Sequence, residues 1–509
     1  MTQFPAEPDA NACYLALKAR DARFDGRFFT GVTSTGIYCR PVCRVRTPRP
    51  ENCRFFVHAA QAEASGFRPC LRCRPELAPG WIPAGSRAVW SVQDASELLS
   101  AQALQLIEAD ANQDYASIGI AALAHRLGIS ERHLRRIFQV HLGVSPLQYL
   151  QTRRLLRAKQ LLTDTQLAVS QVAALSGFSS VRRFNAAFLQ HYRLQPGALR
   201  KSSALSRRTL ASQGLALELH YRPPLDHEFM LNFLARRALA GVELVDPSKR
   251  SIIRTLGIEI GRRLQAGWLH LRFEPARHCV TVRVSETLAE ALPAVLARVR
   301  ALLDLDADPL AINGALGNAL GGGAGVRVPG TVDGFELAVR AILGQQVTVQ
   351  AGCTLATRLA QRFGAPLDTP FAGLDRLFPT PRQLAAASAD ELGMLGIVRQ
   401  RQQAILALAQ AVLSGTLDLH PLADPERSMA ALQALPGIGD WSANYIAMRA
   451  LRWPDAFPAG DLALQQALGV DKHKHPAQAA AAMAQAWRPW RSYAAMRAWS
   501  HSLANIKPQ

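Results

Sequence analysis

A chain of 509 residues is too long for one hydrophobic core and implies roughly three to four domains. Its 49% hydrophobic and 19% charged content is that of a globular protein, and no run approaches the ~18 uninterrupted apolar residues of a membrane span. The formal net charge of +19, with a basic excess both before and after residue 200, suits a polyanionic partner, although charge alone would fit a membrane surface or a ribosome as well. The start, MTQFPAEPDANAC, has neither the basic nor the apolar region of a secretory signal. A cytoplasmic, nucleoid-associated protein is expected, with its eight cysteines reduced, metal-bound or reactive rather than paired.

The first eighty residues hold two close cysteine pairs, Cys39 with Cys43 and Cys70 with Cys73. Soft thiolates at this spacing close a tetrahedron around one Zn2+, and so short a segment gains much of its order from the metal. His58 is a possible substitute ligand; Cys13, Cys53, Cys279 and Cys353 lack paired partners and read as packing residues. TGIYCRPVCRVR and GFRPCLRCRP closely resemble the N-terminal domain of the Ada-type methylation-repair proteins. That resemblance implies that Cys39 accepts a methyl group from a DNA methyl phosphotriester, with Cys43, Cys70 and Cys73 as the remaining ligands. Arg40, Arg44, Arg46, Arg49, Arg54, Arg68, Arg72 and Arg74 form a positive field that can seat the DNA backbone. Four thiolates on zinc carry a formal −2. Methylating one leaves −1 and weakens repulsion from phosphate, so tighter DNA binding after methylation is expected.

Trp81 to Gly85 reads as a connector. Two helix–turn–helix units follow, joined by a long basic amphipathic helix, PLQYLQTRRLLRAKQLL. In the first, IGIAALAHRLG turns into ERHLRRIFQVHLG; in the second, VSQVAALSG turns into VRRFNAAFLQHY. Ser130 and Ser180 are placed to cap the second helix of each unit, the one that enters a major groove. Arg132, His133, Arg135, Arg136, Arg182, Arg183 and Asn185 are candidate DNA contacts, with Arg135 and Arg183 foremost; Leu134, Ile137, Phe138, Phe184 and Phe188 fall at core spacing. The paired units resemble the AraC-type transcriptional regulators, which makes promoter DNA and RNA polymerase candidate partners. Ada-type proteins usually continue into a domain with a Pro-Cys-His-Arg nucleophile. That tetrapeptide does not occur here, so no direct guanine dealkylation is expected.

Residues 201 to 213 are polar and Ser-rich and read as a linker. Alternation in LALELHYR, WLHLRFE and CVTVRVS, with helical stretches at DHEFMLNFL and LAEALPAVLARVRALL, predicts a small antiparallel sheet with helices on one face. The Gly-rich residues 311 to 330 read as a connection, since no strand precedes them and no Gly-Lys-Ser/Thr follows. From Val332 onward the pattern is helical.

Leu435-Pro436-Gly437-Ile438-Gly439 separates two apolar-periodic helices, and its glycines permit a tight turn whose backbone amides can meet a phosphate. Asp461 follows a Pro-Ala-Gly turn and can also serve as the N-cap of LALQQAL. Together with RPPLDHEFMLNFLARRA, INGALG, VDGFELAVRAILGQQV, FPTP and WRPWRSYAAMRAW, this run resembles the AlkA-type 3-methyladenine DNA glycosylases of the helix–hairpin–helix superfamily. The resemblance implies that Asp461 is the catalytic carboxylate. Trp441 and Tyr445, one turn apart on a helix, and Trp499 on the late helix read either as ordinary aromatic core or as a π-lined pocket for the extruded base, with Gly437 and Gly439 against the DNA backbone. The resemblance also puts Gln346 where relatives insert an apolar wedge. The lysine of the strand-cleaving members is replaced by Trp441, so a monofunctional enzyme is expected, with no cofactor for base removal.

The expected architecture is multidomain and mostly α. A small four-cysteine zinc domain (1–80) precedes an all-α double helix–turn–helix domain (90–201) and a linker (202–213). An α+β domain (214–305) and an all-α helix–hairpin–helix glycosylase domain (306–509) complete it. The expected function is alkylation repair joined to transcriptional control, by a monomer acting on double-stranded DNA, alkylated DNA and promoter sites alike. The alternatives are a regulator whose C-terminal half only binds damage, and a glycosylase whose front half only anchors it.

Overall fold

The computed structural model describes residues 9–80, 96, 99–100, 102–104, 106–107, 119–204, 214–260, 263–317, 320, 323–421 and 423–504. They divide into two compact units, Met1–Pro223 with Ile260–Arg263 and Glu274–Ala297, and Pro224–Glu259 with Leu264–Phe273 and Arg298–Gln509. The expected connector at 81–85 and positions 205–213 of the expected linker lie outside the described residues. Positions 201–204 continue the helix Pro196–Ala204 rather than opening a linker.

The first unit begins with a four-stranded sheet in the order β3-β1-β2-β4. β1 (Phe29–Val32) pairs antiparallel with β2 (Ile37–Cys39) and β3 (Cys53–Phe56), and β4 (Arg68–Pro69) runs parallel to β2. Gly31 sits under two rings: a Cβ there would lie 2.8 Å from Phe56 and 3.0 Å from Phe67. Two small apolar clusters pack around the sheet, Phe29, Tyr38, Ala62 and Phe67 with three partly buried neighbours, and Cys13, Ala16 and Phe28 with Phe24 and Phe55. Clusters this small are marginal without a further staple.

The helical part of this unit follows the sequence reading closely. Ile120–Arg126 turns through Gly128 (φ +65°) into Glu131–Leu142, and Val169–Leu175 turns into Val181–Tyr192. Ser130 and Ser180 accept the amides of His133 and Arg183, both 3.2 Å, which fixes where the second helices start. Leu134, Ile137, Phe138, Phe184 and Phe188 are buried, as their spacing requires. The joining helix Pro146–Asp164 opens on a capping box formed by Ser145 and Gln148. It also carries buried charges that face the cysteine-bearing domain. Lys159 Nζ donates to Glu76 at 2.5 Å, and Arg74 donates to Asp164 at 2.8 Å. Burial pushes the Glu76 carboxyl up, but Lys159 and Arg74 outweigh it and hold the group below its usual range. β5 (Leu215–His220) and β9 (Cys279–Val284) pair antiparallel within the same unit.

In the second unit β6 (Glu243–Asp246) pairs antiparallel with β7 (Ser251–Ile260), and β8 (Arg263–Glu274) lies beside β7. β6 and β7 were not expected. β7 is largely buried along its length, so the alternation that exposes a half-buried strand is missing. The Gly-rich stretch likewise begins inside a helix, Pro309–Leu316. The remaining described chain is helical, from Gly334–Leu343 to Arg491–Ala504. A buried ionic lattice fixes Gly334–Leu343 to the strands: Arg254 meets Glu243 at 2.7 Å and Glu336 at 2.8 Å, and Arg340 meets Glu336 at 2.8 Å. Among the described residues, no helix is long and apolar enough to cross a membrane.

Candidate functional sites

The fold brings Cys39, Cys43, Cys70 and Cys73 together, with every sulfur within 4.8 Å of the others. Cys39 ends β2, and the Cys70 amide donates to the Tyr38 carbonyl at 2.9 Å, so the two pairs converge through the sheet. The Arg40 amide donates to Cys73 Sγ at 3.3 Å. Four thiol donors closing on one point, with an N–H turned toward one of them, fit a structural Zn2+. Cys39 is 5% exposed, and a narrow cleft lined by Leu17, Thr30, Val32, Cys43, Val45, Thr47 and Pro48 reaches it.

Two of the eight arginines do not face outward. Arg40 is 2% exposed and paired with Asp25, and Arg74 is turned in toward Glu76 and Asp164. Sequence reasoning could not separate them, because burial comes from carboxylates distant in the chain. Arg44, Arg46, Arg49, Arg54 and Arg72 are exposed or partly so, and Arg68 is half-buried. On the second helices of the helix–turn–helix units, Arg132, Arg135, Arg136, Arg182 and Arg183 are exposed, while His133 and Asn185 are half-buried. Arg135 pairs with Glu131 at 2.9 Å, leaving Arg183 with lighter ties, a 3.4 Å contact to Ser179.

In the second unit Asp461 lies at the centre of the aromatic residues. Its Oδ1 accepts the Trp499 indole N–H at 3.0 Å and the Leu464 amide at 2.8 Å, and its Oδ2 accepts the Trp441 indole N–H at 3.0 Å. The carboxylate is therefore the N-cap of Leu462–Ala467 and also a bridge between two tryptophans. The turn that presents it is braced by Gln465 Nε2 on the Ala459 carbonyl at 2.8 Å. Trp441 and Tyr445, one helical turn apart, stack at 5.2 Å and 10°, making a single wall; Trp499 stands 6.3 Å from Tyr445 at 51°. Sequence reasoning missed Arg449 behind that wall. It is 5% exposed, donates to the Tyr445 hydroxyl, and is fixed by the carbonyls of Pro329 at 2.7 Å and Gly330 at 3.1 Å. Its position four residues after Tyr445 was the available signal.

The hairpin joins Pro425–Gln433 to Asp440–Arg449. Gly437 has φ +77°, which only glycine adopts freely. Gly439 is extended, and a Cβ there would meet nothing within 4 Å, so its bareness faces outward. As N-cap it has no side chain to offer, which leaves the first amides of the following helix without a side-chain cap. Gln345 Nε2 donates to the Gly437 carbonyl at 2.8 Å and to Ser442 Oγ at 2.9 Å. Beside it Gln346 is exposed and held at φ +52°, a conformation costly for a non-glycine residue and common at functional sites.

These features define a multidomain protein that combines a DNA-repair glycosylase with a zinc methyl-acceptor domain and an AraC-type helix–turn–helix activator domain. Four family models match it in chain order: the metal binding domain of Ada over residues 12–76, a helix-turn-helix domain over 123–202, the AlkA N-terminal domain over 216–333, and the HhH-GPD superfamily of base excision DNA repair proteins over 339–492. The chain is 39% identical to the "probable bifunctional transcriptional activator/DNA repair enzyme AlkA" of Mycobacterium tuberculosis, across 98% of this chain and 99% of that one. It is 38% identical to DNA-3-methyladenine glycosylase 2 of Escherichia coli over 55% of this chain and 95% of the relative. It is 35% identical to the regulatory protein ada of Salmonella typhimurium over 30% of this chain and 38% of the relative. The chain belongs to the AlkA-type bifunctional transcriptional activator/DNA repair family.

Proposed function

We propose that the second unit is a monofunctional glycosylase that hydrolyses the N-glycosidic bond of alkylated purines such as 3-methyladenine and 7-methylguanine. The observation that carries this reading is the Asp461 carboxylate held between the Trp441 and Trp499 indoles. Gln346 fills the gap left by the extruded nucleotide, and the amides after Gly439 hold a backbone phosphate. The base rests against the Trp441–Tyr445 wall with Trp499 opposite. As C1′–N breaks, the electron pair leaves with the base and neutralises its positive charge. The sugar becomes cationic, water adds at C1′, and its proton passes to solvent. A carboxylate about 4 Å from that cation contributes about 4 kcal/mol at an effective dielectric of 20. An aromatic face attracts the cationic base by only ~0.5–2 kcal/mol. The carboxylate is therefore the stronger of the two influences. The test is base release from methylated duplex, wild type against Asp461→Asn.

For the first unit the proposed reaction is stoichiometric. The Cys39 sulfur attacks the methyl carbon of a phosphotriester, the C–O bond breaks, and the DNA diester anion departs, leaving a thioether. Cys39, Cys43, Cys70 and Cys73 would hold Zn2+, which when bound keeps the thiolates deprotonated at neutral pH. The exposed arginines of this domain and of the two recognition helices then bind promoter DNA. Loss of one negative charge on methylation is expected to tighten that binding, and equal affinities of the methylated and unmethylated forms at one salt concentration would contradict it. The protein is proposed to act as a cytoplasmic monomer, with RNA polymerase as a further partner.

Asp440 bears on DNA affinity. It is the first residue of the helix after Gly439, exposed, with its carboxylate 3.0 Å from Asn444 Nδ2. A negative charge there competes with phosphate for the same helix end. Asp440→Asn is expected to tighten binding to undamaged duplex about 2- to 5-fold at low salt, from ~0.3–1 kcal/mol of helix-end electrostatics, and the gain should shrink as salt rises. Fluorescence anisotropy over a salt series checks it; unchanged affinity at low salt would place the phosphate elsewhere.

A further inference from the structure

We infer that Glu218, His220 and Cys279 form a second metal site, a three-ligand centre for a borderline divalent cation of the Zn2+ class on one face of the β5–β9 pair. The strand register sets His220 directly opposite Cys279 and Glu218 opposite Thr281. Alternate strand residues share a face, so Glu218, His220 and Cys279 lie together, while Leu217, Leu219, Val280 and Val282 form the opposite, buried face. The carboxylate, imidazole and thiol donor atoms all lie within 4.8 Å of one another.

The spacing fits ligation as well as an ion pair. His220 Nε2 and Glu218 Oε2 are 3.8 Å apart, too far for a hydrogen bond. Ligand-to-ligand edges in a tetrahedral zinc centre, built from its usual bond lengths, are about 3.3–3.6 Å. Small side-chain rotations close that difference. Cys279 is fully buried on a face otherwise polar, and among the described residues its thiol has no hydrogen-bond partner.

Arg277 supplies an orienting contact. A single nitrogen, Nη2, sits between the two Glu218 oxygens at 3.0 and 2.9 Å, which leaves lone pairs on each oxygen for a cation. Thiolate and carboxylate cancel the charge of a dication, so the net charge of the cluster is that of Arg277, whose side chain is 54% exposed to solvent. Sulfur, nitrogen and oxygen donors together select Zn2+ over Mg2+ or Ca2+, with water in the fourth position. Such a centre would staple β5 to β9 two residues before Arg222. That arginine is fully buried, and it donates to the Asp25 carbonyl at 2.9 Å and to the Pro79 carbonyl at 3.3 Å.

The test is a metal count on the full chain, purified in reductant with its affinity tag removed, incubated with Zn2+ and dialysed. Plasma mass spectrometry is expected to find two Zn2+ per chain in the wild type and one in His220→Gln and in Cys279→Ser. Co2+ loading should show a thiolate charge-transfer band that Cys279→Ser reduces. One Zn2+ in the wild type, held at the four cysteines only, would overturn the assignment, as would two retained in both variants. Should Cys279→Ser fail to fold, His220→Gln decides alone, since that imidazole is partly exposed.

Discussion

Asp461→Asn is expected to lower base release from methylated duplex on the order of 10²–10³-fold, about 3–4 kcal/mol of transition-state stabilisation. The variant keeps the side-chain volume, and asparagine is as good a helix N-cap as aspartate, so the cap survives and the stability cost is confined to about 1–3 kcal/mol for one indole N–H left without an acceptor. What it removes is charge, at the place where the proposed mechanism puts the cationic sugar. It also reverses one hydrogen bond. Trp441 Nε1 and Trp499 Nε1 both donate to the carboxylate, and an amide nitrogen facing either indole would set donor against donor. The measurement is single-turnover release of 3-methyladenine, with thermal melting and duplex binding as controls. Retained binding with lost release identifies Asp461 as chemical. Release at the wild-type rate would end the glycosylase mechanism proposed here, and no release from the wild type would favour a unit that only binds damage.

Removing the metal from the four-cysteine site is expected to melt residues 9–80 and leave the glycosylase unit folded. The reason is proportion. Binding of a structural zinc is worth ~10–16 kcal/mol, whereas the two apolar clusters of this domain, one of four buried residues and one of three, are small for a sheet to stand on by themselves. Loss of that fold would also strand Lys159, 1% exposed and paired with Glu76, so the joining helix of the helix–turn–helix domain should lose protection as well. Hydrogen exchange read by mass spectrometry after chelation in reductant checks this, and unchanged protection over 9–80 would contradict it. Cys39→Ala is the milder companion. Three ligands remain, and the mass gain of one methylene unit on exposure to methylated DNA should disappear entirely.

Much of this architecture is legible in the chain itself because the signals are local. The helices Glu131–Leu142 and Val181–Tyr192 begin where Ser130 and Ser180 place a cap and bury the residues that fall at helical spacing. The two cysteine pairs declare a metal centre by residue type and spacing. The hairpin announces itself by Gly437, where a positive φ is needed. Harder to read were β6, only four residues long and half-buried throughout, and β7, whose burial hides the alternation that marks a strand.

What the linear order determined about this protein is therefore its set of domains and the chemical groups each one carries, since capping, periodicity and ligand spacing act over a few residues. Only the tertiary structure decided how those groups meet. It turned Arg40 and Arg74 inward onto Asp25, Glu76 and Asp164, and it placed Arg449 against the Tyr445 hydroxyl. It set both indoles on one carboxylate, although Trp441 and Trp499 lie on different helices far apart in the chain. The physical reason is that a charge or an indole N–H is satisfied by whatever packing brings within about 3 Å, and that distance carries no trace in the spacing of residues along the chain.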